Sequence, residues 1–297
     1  MVKGFYLVSE NSNKQKEVEL FKKSQGVDME LVHFEDIIPI AQDNFDGKIL
    51  LKNGEVDCPD FVFVRALDLG DKDYHLKSVL DMFERLGVLC INSPSTRQIA
   101  SDKLLTSQIV SRVSKSIKVP KTILITPDLE PSKIGEIISY PLVIKIMHGS
   151  KGRGISLIET EEELTNLLNI LFAAPFNDQV LAQQTIESSK GRDLRIVVAC
   201  GEIIDSFVRV NPNDFKSNIA KGGHVEKFKV PESLEEDVLK IAEELNLEFG
   251  SIDFLFGENE DEYYFCEANS TIGMSYLLKS DSDKLEKYSN LIKNFIK

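Results

Sequence analysis

The segment SIDFLFGENEDEYYFCEAN, residues 251–269, holds two β-forming runs on either side of an acidic loop. A hairpin folded about Glu260 sets Phe254 against Cys266, Leu255 against Phe265, and Asp253 against Glu267. Side chains alternate along a strand, so Asp253 and Leu255 are expected to share a face with Phe265, Glu267 and Asn269. Like charges directly across a ladder are destabilising. At about 5 Å and an effective dielectric of about 20, the repulsion is roughly 3 kcal/mol. Flanking Ile252, Phe254 and Phe256 imply burial of both faces, which leaves water little room to relieve it. A divalent cation between the carboxylates would, with the Asn269 carbonyl oxygen as a third hard ligand.

Further residues point to an anionic ligand. In GSKGRG, residues 149–154, three glycines allow close approach of the backbone and present N–H groups to an anion. The loop lacks the GxxxxGK[ST] pattern, and a strand rather than a helix follows it, so it is neither a Walker A loop nor a Rossmann fingerprint. Taken alone it is equally a plain hairpin; Lys151, Arg153 and the preceding Lys145 favour a phosphate contact. Lys145 lies in the otherwise apolar strand PLVIKIM, either snorkelling at the strand end or neutralised by a ligand. Lys103, in SDKLL, reads by itself as a solvated helix lysine. Arg65 ends DFVFVR, at the carboxyl end of a parallel strand, where open α/β sheets bind ligands. Asp193, Arg195 and Arg209 interrupt two well-patterned strands, more charges than solvated edges readily explain. The loop NDFKSNIAKGGHVEKF offers Asn218 and Gly222-Gly223 as substrate-positioning elements.

The elements that must position these residues follow from pattern. Strands at 3–8 and 29–34, a helix at 13–24, a hairpin around Asn53-Gly54, the buried strand DFVFVR, the helix LKSVLDMFERLG and the strand VLCI make residues 1–95 an open α/β domain. Asn92-Ser93-Pro94 marks its boundary. The middle unit, 96–186, begins with one helix over ASDKLLTSQIVSRV. It continues with the strand PKTILIT, a helix containing Pro131, two strands around the glycine loop, a helix opening with the capping box TEEE, and the strand QVLAQQTI. Residues 187–297 hold two antiparallel strands turning at Cys200-Gly201, an amphipathic helix, the acidic hairpin, and a terminal helix with Leu285, Tyr288, Ile292 and Phe295 on one stripe. The expected class is α/β followed by α+β, in three parts.

Composition narrows the function. A chain of 297 residues, 42% hydrophobic and 28% charged, is globular in type and long enough for two or three cores. A net charge of −13 argues against nucleic acid as the main partner. No apolar run reaches the ~20 residues that span a bilayer, and the start is too polar for a signal peptide, so a cytoplasmic protein without membrane association is expected. Four widely spaced cysteines without CxxC fit reduced thiols, and four histidines without HxxxH or HExxH leave no zinc pattern.

Taken in order, Lys103, LVIKIMHGSKGRG, QQTI, RDLRIVV, Arg209, DFKSNIAKGG, SIDFLF and CEANSTIG resemble the ATP-grasp superfamily, specifically the RimK-type carboxylate–amine ligases. The resemblance spans essentially the whole chain and is strongest over 141–274. It implies that Lys103, Lys145 and the loop residues Gly149, Ser150, Gly152 and Gly154 hold the ATP phosphates. It likewise implies that Gln183, Gln184, Thr185 and Ile186 meet adenine, and that Asp193 and Arg195 serve nucleotide binding. Asp253, Glu267 and Asn269 would carry Mg²⁺ or Mn²⁺. Arg209, with Arg65, would orient the carboxylate, and Asn218 would serve the substrate loop. Two positions depart from the family pattern: Gln184 stands where glutamate is common, and Ile272 replaces a proline, which is expected to loosen the NSTIG turn. The implied activity is ATP-dependent joining of an amino acid, glutamate foremost, to a protein tail, peptide or small molecule. A homo-oligomer is compatible with this. The rivals are a catalytically silent nucleotide-binding regulator on the same fold and a small anion-binding module; the latter leaves the acidic hairpin unexplained.

Overall fold

Phe61-Val62-Phe63-Val64 is apolar at all four positions, the pattern of a strand buried on both faces. In the computed structural model it is β5 (Phe61–Val64), which joins β1 (Val2–Val8), β2 (Val27–His33) and β6 (Leu89–Ile91) in an all-parallel sheet of order β2-β1-β5-β6. The structure describes all residues except 1, 11–13, 24–26, 66–72, 148, 150–152, 174–175, 177, 218–221, 273–281 and 297. Alternate side chains of β5 enter different cores. Val62 and Val64 pack with Leu76, Leu80 and Phe83 of α2 (Asp73–Arg85). Phe61 and Phe63 join a core shared with the third sheet, described below. The connection between β1 and β2 carries α1 (Gln15–Lys23).

A small hairpin, β3 (Lys48–Leu51) with β4 (Gly54–Asp57), forms where Asn53-Gly54 predicted one, but the turn sits one residue earlier. Leu51 pairs with Gly54, so Lys52-Asn53 are the two loop residues. Gly54 begins the return strand at φ +137°, a backbone angle that L side chains rarely adopt.

The single helix expected over 100–113 is two. Ser93 caps α3 (Pro94–Ser101) by accepting from the Thr96 N–H, and Pro94 occupies its first turn. Asp102 then leaves helical geometry, and its Oδ1 accepts from Leu104 and Leu105 N–H groups at 3.0 and 2.9 Å to cap α4 (Lys103–Val113). A capping aspartate inside an apolar periodic run is therefore a break, and it places Lys103 at the first residue of a new helix. Both helices precede the second sheet in sequence, yet Val110 of α4 belongs to the core of the third.

The second sheet, order β7-β10-β8-β9, is antiparallel: β7 (Thr122–Ile125), β10 (Val180–Gln184), β8 (Leu142–Ile146) and β9 (Ile155–Ile158). Ile134 of α5 (Pro131–Ile137) and Leu164 and Leu168 of α6 (Glu161–Leu171) cover one face over Leu142, Ile144 and Ala182. Thr160 caps α6 as expected, accepting from the Glu163 N–H, while the Glu163 carboxylate accepts from the Glu159 N–H.

The third sheet, order β13-β12-β11-β14-β15, comprises β13 (His224–Lys227), β12 (Glu202–Val210), β11 (Arg192–Ala199), β14 (Phe249–Phe256) and β15 (Tyr263–Asn269). The tight turn between β11 and β12 has Cys200 and Gly201 at φ 47° and 75°, the positive values a two-residue hairpin demands. HVEK, expected as loop, is an edge strand; its largely exposed polar residues lack the alternation that marks a half-buried strand.

Alternation along β11 explains how this sheet is used. Leu194, Ile196 and Val198 point into a core with α4 and with Val238 and Ile241 of α7 (Glu232–Glu244). On the opposite face, Val197 and Ala199 dock against Tyr6, Phe61 and Phe63 of the first sheet, together with Phe249 and Ile292 of α8 (Ser282–Ile296). Asp193 and Arg195 occupy the remaining end of that same face. One half of the face is closed by apolar docking; the other half is polar. The Leu285 and Tyr288 side chains of the expected stripe fall outside the description; Ile292 is buried and Phe295 packs on Phe249.

Candidate functional site

The polar half-face is assembled by register. β11 sets Arg195 opposite Asp253, β12 sets Arg209 opposite Asp193, and β15 sets Glu267 opposite Asp253. The Asp253–Glu267 and Ser251–Asn269 pairs stand as the hairpin argument requires. Beyond Asp253 the ladder shifts: Phe254 pairs with Phe265 and Leu255 with Tyr264. Cys266 is the extra residue of a β-bulge. The correction has a physical cause, since a one-residue slip exchanges faces. It sends Phe254 and Phe265 together into the helical core, away from the face of Asp253.

Arg195 Nε and Nη2 meet Asp253 Oδ1 and Oδ2 at 2.8 and 2.5 Å in a two-point fork. Arg209 forks onto Asp193 at 2.7 and 2.5 Å and also reaches Asp253 Oδ2 at 2.7 Å. Asp253 is 0% exposed. Burial works to raise its carboxyl, but Arg195 and Arg209 outweigh burial and hold it below the usual carboxylate range. Burial lifts the Asp193 carboxyl above that range even with Arg209 beside it. Burial also opposes charge on Arg209, and Asp253 and Asp193 more than compensate, raising it further. Cys266 adds no charge to the site, because burial pushes its thiol up to about 12.

These contacts change the argument that began with the hairpin. Two guanidinium groups already relieve the Asp253–Glu267 repulsion, so that repulsion alone does not demand a metal. The donor set is what speaks for one. Glu267 is half-buried, accepts from Asn269 Nδ2 at 3.3 Å and lies 3.9 Å from Arg195 Nη2. Two carboxylates and one amide oxygen on one face are hard donors, and Mg²⁺ is commonly held by one or two carboxylates with phosphates and water completing its shell. Among the described residues, no group of three or more His, Cys, Asp or Glu is arranged as an all-protein cage. The residues present fit a metal shared with a phosphate ligand.

Lys103 and Lys145 come to the same place from other elements. Lys103 Nζ donates to the Met147 carbonyl at 2.5 Å and lies 3.5 Å from the Gly149 carbonyl, tying α4 to the mouth of the glycine loop. It is half-buried, not the solvated helix lysine its local sequence describes. Burial lowers its pKa, Glu267 opposes that and Lys145 adds to it, so the two lysines and the third-sheet carboxylate share one electrostatic neighbourhood. Lys145 is buried in β8. The loop itself needs its glycines for packing: a Cβ at Gly149 would stand 2.5 Å from the Arg153 carbonyl oxygen, and one at Gly154 would stand 2.1 Å from Ile146 Cγ1. Ser150 and Gly152 lie outside the described residues, as does Asn218.

Gln183 is buried and donates to Thr122 Oγ1 at 2.8 Å. Gln184 is exposed, and its backbone N–H and its Oε1 both meet Lys121, at 2.8 and 3.3 Å. Thr185 follows with a buried hydroxyl that has no hydrogen-bond partner among the described residues, and Ile186 is half-buried. Ile272 is 5% exposed and packs into the core between the first and third sheets, so apolar burial anchors the turn that was expected to be loose. Arg65 is placed in the first sheet, 4% exposed, with Nε 3.2 Å from the Tyr6 hydroxyl and 3.6 Å from Glu17 Oε2. Sequence reasoning missed Met147, whose carbonyl and sulfur receive Lys103, and Ser251, whose hydroxyl is buried on the face of Asp253 without a partner among the described residues. Only the parity of Ser251 with Asp253 signals the latter.

Comparison with known proteins agrees with this arrangement. The model of the RimK-like ATP-grasp domain matches residues 100–289. A probable alpha-L-glutamate ligase of Rhodopirellula baltica is 29% identical over 238 residues, covering 75% of this chain and 56% of that protein. One of Vibrio atlanticus is 29% identical over 205 residues, covering 68% and 66%. The chain thus spans less than two thirds of the length of either. The structure of the ATP-grasp ligase PsnB, complexed with a phosphomimetic variant of minimal precursor, Mg and ADP, superposes with a TM-score of 0.73 at 15% identity over 99% of this chain and 98% of that one. The fold is therefore the ATP-grasp fold, and with nearly two hundred consecutive residues matched, lysines and carboxylates included, the chain belongs to the RimK-like ATP-grasp family.

Proposed function

We propose that this chain is an ATP-dependent carboxylate–amine ligase that forms ADP. The observation that carries the reading is the half-face itself: Asp193, Asp253 and Glu267 interleaved with Arg195 and Arg209, facing Lys103 and Lys145 from other elements. A carboxylate does not exchange its oxygen for an amine in water. In the proposed reaction, a carboxylate oxygen attacks the γ-phosphorus of ATP, the bond to ADP breaks, and an acyl phosphate forms. The amine then attacks the acyl carbon, phosphate departs, and the amine loses a proton.

Lys103, Lys145 and the glycine-loop backbone hold the triphosphate, supplying positive charge where negative charge is transferred. Asp253, Glu267 and Asn269 would hold Mg²⁺ or Mn²⁺, which would supply neutralisation of the phosphate charge. Arg209 orients the substrate carboxylate and steadies the oxyanion on the acyl carbon; Arg195 serves the nucleotide side, and Asp193 orients Arg209. Arg209 is favoured over Arg65 at the carboxylate by its place beside Asp253, whereas Arg65 stands with Tyr6 and Glu17. The adenine falls to Gln183–Ile186, and Asn218 with its loop to the substrate. In this reading residues 1–95 form the leading domain, 96–186 the lid that shields the acyl phosphate from water, and 187–297 the unit that bears the metal face, with α3 and α4 packed against the opposite face of its sheet.

The amino acid added is glutamate, in keeping with the names of the curated relatives, and the acceptor is a peptide, protein tail or small molecule. The test is stoichiometric. ADP and phosphate should appear only when carboxylate and amine are both supplied; release of AMP and pyrophosphate would overturn the reading.

A further inference from the structure

Asn92 immediately follows β6 of the first sheet and is 1% exposed. Its carboxamide is spent wholly on the third sheet. Nδ2 donates to the Phe249 carbonyl at 2.5 Å and to the Ser270 carbonyl at 2.7 Å, and Oδ1 accepts from the Phe249 N–H at 2.9 Å. Phe249 is the first residue of β14, and Ser270 follows the last residue of β15. One side chain from another sheet therefore bridges the open ends of the two strands that carry Asp253, Glu267 and Asn269. It stands just beyond the last ladder pair, Ser251–Asn269, in the place of a further rung.

We propose that Asn92 is a positioning residue for the metal ligands, a clamp that sets the separation of β14 and β15 at the end where Asn269 leaves the ladder. The inference rests on the metal assignment made above. Docking of the first sheet on the third does not require this device, since Tyr6, Phe61, Phe63, Val197 and Phe249 already supply an apolar interface. Neighbouring bonds show what ordinary docking looks like. Thr96 Oγ1 donates to the Asn246 carbonyl at 2.9 Å, before β14 begins, and that bond does not reach β15. Asn92 alone of these two reads both strands. Asparagine is the side chain suited to the position: aspartate would turn a carboxylate on two carbonyl oxygens, and alanine would leave three buried backbone groups unsatisfied. Magnesium and manganese tolerate little error in ligand spacing, so loosening the strand ends should be felt at the metal first.

The experiment measures Mn²⁺ binding to the ADP-bound protein by electron paramagnetic resonance, and ADP binding in EDTA by calorimetry. Asn92→Ala should weaken Mn²⁺ binding about 10-fold, as loss of outer-sphere support typically does, with ADP affinity in EDTA unchanged. Thr96→Val should leave both unchanged. If Asn92→Ala does not fold, Asn92→Ser, which retains one hydroxyl donor, carries the same criterion. Wild-type Mn²⁺ affinity in the folded Asn92 variant, or an equal loss in Thr96→Val, overturns the clamp alone. Wild-type protein that binds Mn²⁺ no better than Asp253→Asn overturns the metal assignment and the clamp with it.

Discussion

Two clusters of buried charge lie on facing sheets, made from the same chemistry to different ends. In the first sheet, Glu17 receives the Tyr6 hydroxyl, Lys14 Nζ at 2.8 Å and Arg65 at 3.6 Å. Among the described residues one acid meets two bases and a phenol, and the Glu17 and Arg65 side chains are 4% and 2% exposed. In the third sheet, three acids meet two guanidinium groups, and the Glu267 side chain remains 32% exposed. The first cluster is closed and has carboxylate demand met from all sides. The second opens to solvent at Glu267, which Arg195 approaches only to 3.9 Å, and that is where an additional cation has something to bind. A buried ion pair is thus a site only when its charges are left incomplete; a completed one is framework.

Mutations should separate the two. Arg209→Met removes the cation shared by Asp193 and Asp253 and takes from buried Asp193 its guanidinium partner, while Arg195 still holds Asp253; a loss of about 3 kcal/mol in urea unfolding is expected, with ligation abolished. Asp253→Asn keeps the shape and should leave the fold nearly intact, while ATP-dependent ligation falls about 10²–10³-fold, as for loss of a preorganised charge at the reacting phosphate. Arg65→Met removes one of the two cations around buried Glu17, leaving Lys14 and the Tyr6 hydroxyl, and should cost about 3 kcal/mol of stability or less, with the Mg²⁺–ADP affinity of the folded protein unchanged. If turnover at saturating ATP fell instead while stability held, Arg65 would move from framework to substrate. Tyr6→Phe removes the hydroxyl that donates to Glu17 and accepts from Arg65 Nε, and should cost about 2 kcal/mol with no change in ligation.

The smallest effect is one of pH. Burial holds Lys103 below its ordinary 10.5, so the folded chain binds fewer protons there than the unfolded chain. Stability is reduced at neutral pH, and the reduction fades as pH climbs through the folded value towards 10.5. Lys103→Met should flatten that alkaline rise, as read from unfolding curves across the range. Phosphate-bearing nucleotide should shift the rise to higher pH by favouring charged Lys103.

The legibility of the chain in its sequence follows local signals closely. Apolar runs such as 61–64 and 142–144 announced buried strands, Thr160 announced the start of α6, and the acidic hairpin announced the Asp253–Glu267 pair. Where two local signals competed, the weaker was overlooked: Asp102 broke a periodic helix by capping, and Gly54 moved a turn by one residue. The bulge at Cys266 had no local signal, because it answers the demand of a distant helical core for both Phe254 and Phe265. Lys103 looked solvated because nothing near it in sequence shows that Met147 and Gly149 will lie against it.

Amino-acid order by itself determined which side chains are charged, which strands they interrupt and, through the parity of two residues per step, which of them share a face. That much sufficed to set Asp253, Glu267 and Asn269 on one face and to single out Asp193, Arg195 and Arg209; the resemblance to the RimK-type ligases joined the two groups. Only the tertiary structure decided that two arginines would already satisfy Asp253, that Arg65 would be sealed in a separate cluster, and that Asn92 would grip strands beginning 157 residues away. Charge compensation and burial depend on what packs opposite a face, and that partner arrives from elsewhere in the chain.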